Sequence, residues 1–78
     1  MNKIKRICVC GAGTMGSGIA QVIAQNGFAV VLFDVNEEML TKSKLSIKDS
    51  LEKLAGKEKI TELQKEETIE RLIFTSNI

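Results

Sequence analysis

The sequence predicts an α/β fold built on a parallel β-sheet. Short apolar segments alternate with longer segments in which apolar residues recur every three to four positions. No short turn joins two of the apolar segments directly, as an antiparallel hairpin would require. Strands separated by helices pair in parallel through right-handed crossovers. The expected element order is therefore β-α-β-α-α-β, with the strands in spatial order 3-2-1.

Three segments are expected to form the strands. They are Ile4–Cys10, Phe28–Phe33 and Leu72–Thr75. Cys8 and Cys10 lie in the first of them, one residue apart, which is poor geometry for a disulfide and matches no zinc-site spacing. They are therefore expected to be small core residues of a reduced, cytosolic protein.

The first helix is predicted from an apolar stripe that starts at Met15, with Ala20 and Ala24 as its small neighbours. The stripe continues through Ile19, Val22 and Ile23. Gly27 stands at the usual C-terminal position of a helix.

A helical pair is predicted over residues 36–71, between the second and third strands. Asn36 is expected to cap its first helix, with two acids in the first turn, and Gly56 to interrupt that helix. The sequence Thr61-Glu62-Leu63-Gln64 has the capping-box pattern that starts a second helix. This insertion is longer than a minimal crossover, so the pair is expected to project from the body of the domain.

The composition indicates one small globular domain. The chain has 78 residues, of which 44% are hydrophobic, and its formal net charge is +1. Disorder is not expected at this hydrophobic content. Nucleic acid and membrane surfaces are not expected partners, because neither fits a chain without a basic excess. The basic N-terminus and the glycine-broken segment after it do not fit a signal peptide or a membrane span.

A glycine-rich turn carries the chemistry that the sequence encodes. Residues 11–16 read Gly-Ala-Gly-Thr-Met-Gly, between a predicted strand and a predicted helix, and an acid, Asp34, ends the next strand about 20 residues on. In this context the pattern is the fingerprint of a Rossmann-type dinucleotide-binding fold. The predicted cofactor-binding residues are Gly11, Ala12, Gly13, Thr14, Met15, Gly16 and Asp34.

Each glycine has an expected role. Gly11 permits the tight turn out of the strand, and Gly13 lets a pyrophosphate approach the backbone. Gly16 lets the helix pack closely on the strand, and Gly18 is expected to extend that close contact. The helix N-terminus offers unpaired N–H groups to the phosphates.

Asp34 predicts the choice of cofactor. Its carboxylate can accept hydrogen bonds from the hydroxyls of the adenosine ribose, whereas a 2′-phosphate there would meet a like charge. The next residues, Val35 and Asn36, supply no cation. NAD is therefore expected rather than NADP.

The segment Cys10–Gln21, followed by Val30–Asp34, resembles the N-terminus of 3-hydroxyacyl-CoA dehydrogenases, most of all the bacterial 3-hydroxybutyryl-CoA type. The likeness continues through residues 42–44, 50–51 and 60–62 to Phe74-Thr75, so it covers essentially the whole chain. The resemblance implies reversible hydride transfer between a 3-hydroxyacyl-CoA and NAD, a place in fatty acid and butanoate metabolism, a cytoplasmic location and a homo-oligomer.

The resemblance also implies that this chain is incomplete. The family's catalytic His–Glu pair, and the Ser and Asn that assist it, lie downstream, and this sequence has no histidine. Residues 1–78 are thus expected to be the N-terminal part of an NAD-binding domain, half of a Rossmann fold. The C-terminal catalytic and dimerisation domain is expected to be absent, and the chain alone to be inactive. No catalytic residue and no metal site is predicted in it.

The resemblance assigns two CoA contacts, Ser50 and Lys57, to the helix after the acidic residue. Seven residues span about two helical turns, or roughly 10 Å along one face. Without the resemblance both would be solvated surface residues.

Two other interpretations stay open on the sequence. One is a different Rossmann dehydrogenase of the 3-hydroxyisobutyrate type, against which the helical pair argues. The other is a small non-catalytic nucleotide-binding or assembly module.

Overall fold

The computed structural model describes residues 6–77, which form three strands and three helices. In chain order these are β1 (Arg6–Cys10), α1 (Thr14–Gln25), β2 (Ala29–Phe33), α2 (Glu37–Gly56), α3 (Glu62–Glu70) and β3 (Leu72–Thr75). The predicted element order is confirmed. The part of the first predicted strand at Ile4 and Lys5 lies outside the described residues.

The sheet is parallel, with β2 between β1 and β3. This is the order 3-2-1 that the sequence predicts, and it makes the fold an α/β Rossmann-type half-sheet. The register aligns Val9 with Leu32 and Leu32 with Phe74. Residues aligned in this way share one face of the sheet, because successive side chains of a strand alternate between its two faces.

The core lies on one face of the sheet, which we call the inner face. Val30 and Leu32 of β2 are fully buried there, in one core cluster with residues of α1 and α2. Burial of each such side chain contributes about 1.5–3 kcal/mol relative to exposure. The remaining buried apolar residues are Ala12, Ala20, Ala24, Leu40, Ile47, Leu51 and Leu72.

The predicted apolar stripe of α1 is not its core face. Ala20 and Ala24 are fully buried, whereas Met15 is 79% exposed. Ile19 and Val22 are also exposed, and only Ile23 of the stripe packs against the core. The physical reason is the close approach of α1 to the sheet, which leaves room only for small side chains on the facing side.

The two cysteines are not core residues. Cys8 and Cys10 are exposed, so the prediction that they are small core residues is wrong. They alternate along β1 with Ile7 and Val9, which face inward. This alternation turns both thiols to the opposite face of the sheet, the outer face, on which no helix of residues 6–77 packs.

The helical pair does not project from the body of the domain. Leu40, Ile47 and Leu51 of α2 are buried against the inner face together with Ala20 and Ala24 of α1. Both α2 and α3 also contact β3 and α1. The pair therefore completes the helical layer over the sheet.

The helix ends follow the predicted capping chemistry. Asn36 Oδ1 accepts from the backbone N–H groups of Glu38 and Met39, and α2 ends at Gly56. Thr61 and Gln64 form the reciprocal capping box of α3. Gly27 follows α1 with a φ of 97°, the left-handed conformation that a helix terminus of this kind requires.

Candidate functional site

The glycine-rich turn lies where β1 ends and α1 begins, at the carboxyl edge of the sheet. Gly11 has a φ of 102°, which an L-residue with a side chain rarely adopts. Its backbone N–H donates to Phe33 O at 2.7 Å. The turn is thus joined to the end of β2, immediately before Asp34.

Gly16 is where the helix lies closest to the turn. A Cβ at this position would lie 1.8 Å from the carbonyl oxygen of Gly11, a distance no real structure tolerates. The close contact expected at Gly16 is therefore made with the turn, whereas Val9 of β1 would lie at an ordinary 3.7 Å from such a Cβ. The same expectation for Gly18 is wrong, because nothing lies within 4 Å of a Cβ built there.

The N-terminus of α1 has neither a side-chain cap nor an acidic residue in its first turn. The N-cap is Gly13, which has no side chain. The first N–H groups of a helix carry a partial positive charge and have no partner within the helix. A phosphate near Gly13 would satisfy them.

Asp34 is half-buried beside this turn. Its Oδ2 accepts from Ala12 N–H at 2.9 Å, and its Oδ1 accepts from Asn36 N–H at 2.8 Å. Each carboxylate oxygen has about two acceptor positions, so capacity remains for the hydroxyls of a ribose. The structure brings Asp34 next to the glycine turn across a separation of 22 residues.

These hydrogen bonds also set the charge of the site. The Ala12 N–H, and secondly the Asn36 N–H, lower the pKa of Asp34 below its ordinary value because both stabilise the carboxylate. The acid therefore stays ionised at neutral pH. A carboxylate with a fixed negative charge would repel a 2′-phosphate at this point, and would accept hydrogen bonds from the two hydroxyls of an unmodified ribose.

Two serines beside the site are buried, which the sequence did not lead us to expect. Ser17 of α1 and Ser43 of α2 are 7% and 3% exposed, and their hydroxyl oxygens are 2.5 Å apart. Ser17 Oγ also donates to Ala12 O at 3.2 Å. A signal existed for Ser43, since it falls on the apolar stripe of α2 between Leu40 and Ile47, where a polar residue needs a buried partner.

The two predicted CoA contacts lie at different places on the helical pair. Ser50 is half-buried and accepts from Gln21 Nε2 of α1 at 3.1 Å. Lys57 is exposed and immediately follows α2. Its backbone N–H still donates to Lys53 O, as in a helix. Gly56 therefore does not abolish the two-turn spacing between them.

Within residues 6–77, no three His, Cys, Asp or Glu side chains come together as a metal site would need. None of the helices in that range has both the length and the apolar character needed to cross a membrane. The adenosine diphosphate portion of a dinucleotide fits what is present: a helix N-terminus for phosphates and a carboxylate for a ribose.

Comparison with known sequences gives a family match. The model of the NAD-binding domain of 3-hydroxyacyl-CoA dehydrogenases matches residues 6–78. The chain is 44% identical over 73 residues to the human mitochondrial hydroxyacyl-coenzyme A dehydrogenase, covering 92% of this chain and 23% of that protein. It is 47% identical over 70 residues to a probable 3-hydroxybutyryl-CoA dehydrogenase of Deinococcus radiodurans, covering 90% of this chain and 25% of that protein.

Solved structures agree with the sequence matches. The fold superimposes on the 3-hydroxybutyryl-CoA dehydrogenase of Escherichia coli with a TM-score of 0.94 at 36% identity, over 99% of this chain and 16% of that chain. It superimposes on the (S)-3-hydroxybutyryl-CoA dehydrogenase of Ralstonia eutropha with a TM-score of 0.91 at 36% identity, over 96% and 26%. The chain thus spans about a quarter or less of the length of these proteins.

Proposed function

Because the chain belongs to the 3-hydroxyacyl-CoA dehydrogenase family, through its NAD-binding domain, we propose that residues 1–78 bind the adenosine half of NAD for an oxidoreductase. That enzyme interconverts 3-hydroxyacyl-CoA, in particular 3-hydroxybutyryl-CoA, and 3-oxoacyl-CoA. The observation that carries the proposal is the hydrogen bond from Ala12 N–H of the glycine turn to Asp34, because it holds this carboxylate next to the start of α1.

The proposed cofactor contacts follow from this geometry. The N–H groups at the start of α1, from Gly13 to Gly16, hold the pyrophosphate, and Asp34 accepts from the ribose hydroxyls. Bound NAD supplies the hydride acceptor of the reaction. The residues of this chain orient the cofactor and exclude NADP, and they move no proton.

The remaining parts of the proposal concern the complete enzyme. General-base catalysis needs a proton acceptor with a pKa near neutrality, and residues 1–78 contain no histidine. We place the catalytic and dimerisation domain outside these residues, and expect the complete enzyme to be a cytoplasmic homo-oligomer. Ser50 and Lys57 are its proposed contacts to the CoA portion of the substrate.

Two glycine variants test the proposal on the chain itself. Gly13→Ala adds a methyl group where the pyrophosphate would approach, yet its nearest neighbour there is the Met39 methyl at 3.9 Å, and a φ of −69° suits alanine. Gly18→Ala adds the same methyl group to open space one turn further along α1. We expect both variants to fold. The Kd for NAD, measured by titration followed through backbone amide chemical shifts, should be at least about tenfold higher in Gly13→Ala than in the unmodified chain. In Gly18→Ala it should be unchanged.

The expected shifts lie in residues 11–16 and 34–36. Circular dichroism melts check that both variants are folded, and Gly18→Ala should melt no lower than the unmodified chain, since alanine favours a helix interior. Equal NAD affinity in the two variants, or shifts away from the glycine turn, would contradict the proposed site.

A further inference from the structure

Both peptide groups of Ala12 are held by side chains from elsewhere in the fold. Its N–H donates to Asp34 Oδ2, and its carbonyl accepts from Ser17 Oγ. Ala12 itself is only 2% exposed. The middle of the glycine turn is therefore fixed on two sides, by Asp34 just after β2 and by Ser17 near the start of α1.

The direction of the serine–serine hydrogen bond follows from this arrangement. A hydroxyl has one hydrogen to donate, and the Ala12 carbonyl can only accept. Since Ser17 donates to Ala12 O, the hydrogen in the 2.5 Å contact comes from Ser43. Ser43 of α2 thus donates to Ser17, and of the two serines only Ser17 contacts the glycine turn.

The consequence for the cofactor site comes from the planarity of the peptide bond. The Ala12 carbonyl and the Gly13 N–H belong to one trans peptide unit, in which they point in opposite directions. A hydroxyl that fixes the carbonyl also fixes the direction of the Gly13 N–H. This N–H lies at the start of α1, where the pyrophosphate is proposed to bind.

We propose that Ser17 is a positioning residue for the cofactor: it holds the Ala12–Gly13 peptide so that the Gly13 N–H is directed at the pyrophosphate before NAD arrives. The inference rests on the proposed function. It assigns to Ser17 a part in cofactor affinity, and to Ser43 only the support of Ser17.

Two variants separate positioning from stability. Ser17→Ala/Ser43→Ala removes both hydroxyls, so neither serine is left without its partner, and the Tm should fall only by the loss of the hydrogen bond to the Ala12 carbonyl. Ser43→Ala breaks the same serine pair but leaves Ser17 on the Ala12 carbonyl. We expect the NAD Kd to rise about three- to tenfold in the double variant and to stay unchanged in Ser43→Ala.

The second measurement is the amide signal of Gly13 in a ¹⁵N–¹H spectrum, without NAD and at saturation. It should move between the unmodified chain and the double variant but not in Ser43→Ala. A double variant that binds NAD as the unmodified chain does, or an equal loss in both variants, overturns the inference and leaves the proposed function standing. An unmodified chain that binds no NAD overturns both.

Discussion

At the scale of single residues, Asp34 shows what the sequence could and could not predict. Its place at the end of a strand, after a glycine-rich turn, predicted a ribose acceptor, because that chemistry follows from the order of elements along the chain. Its hydrogen bond to Ala12 N–H joins residues 22 apart. Such a contact depends on how strand ends align in the sheet, which residue spacing does not determine.

The lowered pKa of Asp34 predicts how stability changes in acid. A group with a lower pKa in the folded state stabilises the fold above its unfolded pKa, about 3.9 for Asp, and this contribution is lost as the pH falls through the folded pKa. We expect unfolding midpoints in urea to fall more steeply below about pH 4 in the unmodified chain than in Asp34→Asn.

Asp49→Asn is the control, because it removes one acidic side chain from elsewhere in the fold. Its urea midpoint should fall with pH as steeply as that of the unmodified chain. The Asp49 carboxylate is exposed and pairs with Lys53 on the surface of α2. The urea midpoint is plotted against pH for each protein. If the plots for the unmodified chain and Asp34→Asn stay parallel through this pH range, the Ala12 and Asn36 contacts do not stabilise the carboxylate.

At the scale of elements, sequence periodicity located α1 correctly but selected the wrong face. The large apolar residues Met15, Ile19 and Val22 produce the strongest pattern, yet the helix approaches the sheet through Gly16, Ala20 and others of its smallest residues. A periodic pattern reports where apolar side chains lie around a helix. It does not report how close the neighbouring strand comes.

The packing of α1 can be tested with one substitution that enlarges a buried side chain and one that shortens an exposed side chain. Ala24→Leu inserts a large side chain at a position with 0% exposure and should destabilise the fold by about 1–3 kcal/mol through overpacking. Val22→Ala removes apolar atoms from a position that is 57% exposed and should change stability by no more than about 0.5 kcal/mol. Chemical denaturation measures both, and the reverse ranking would mean that the predicted stripe does face the core.

The position of Lys57 after α2 predicts a small effect on the complete enzyme. An exposed ammonium–phosphate contact is worth about 1 kcal/mol or less, so Lys57→Ala should raise the KM for the acyl-CoA a few-fold, to about tenfold at most. NAD binding should be unchanged. Lys59→Ala removes the same charge from a second exposed lysine nearby and is the matched control. An equal KM in both variants would return Lys57 to the ordinary surface lysines.

At the scale of the whole molecule, apolar surface is unevenly covered. All three helices lie on the inner face, while Ile73 on the outer face is 43% exposed. Strand β1 lies at an edge of the described sheet. Exposed strand edges are templates for pairing with another chain, and the exposed stripe of α1, at Met15, Ile19 and Val22, adds to this surface.

We therefore predict that the 78-residue polypeptide self-associates. Light scattering over a concentration series should give a mass above the 8.6 kDa of one chain. Ile19→Glu places a charge on the stripe of α1 and should shift the distribution toward monomer. Leu63→Glu changes a leucine of α3 that is 64% exposed, against 47% for Ile19, and should not. A folded, monodisperse 8.6 kDa species at high concentration would show that the exposed surface does not drive association.

We propose that the glycine turn and Asp34 together form a site that binds NAD and rejects NADP. Calorimetric titration of both cofactors, into the unmodified chain and into Asp34→Asn, tests it most directly. We expect the unmodified chain to bind NAD more tightly than NADP, and this preference to shrink once the charge of Asp34 is removed. Equal binding of NAD and NADP by the unmodified chain would contradict it.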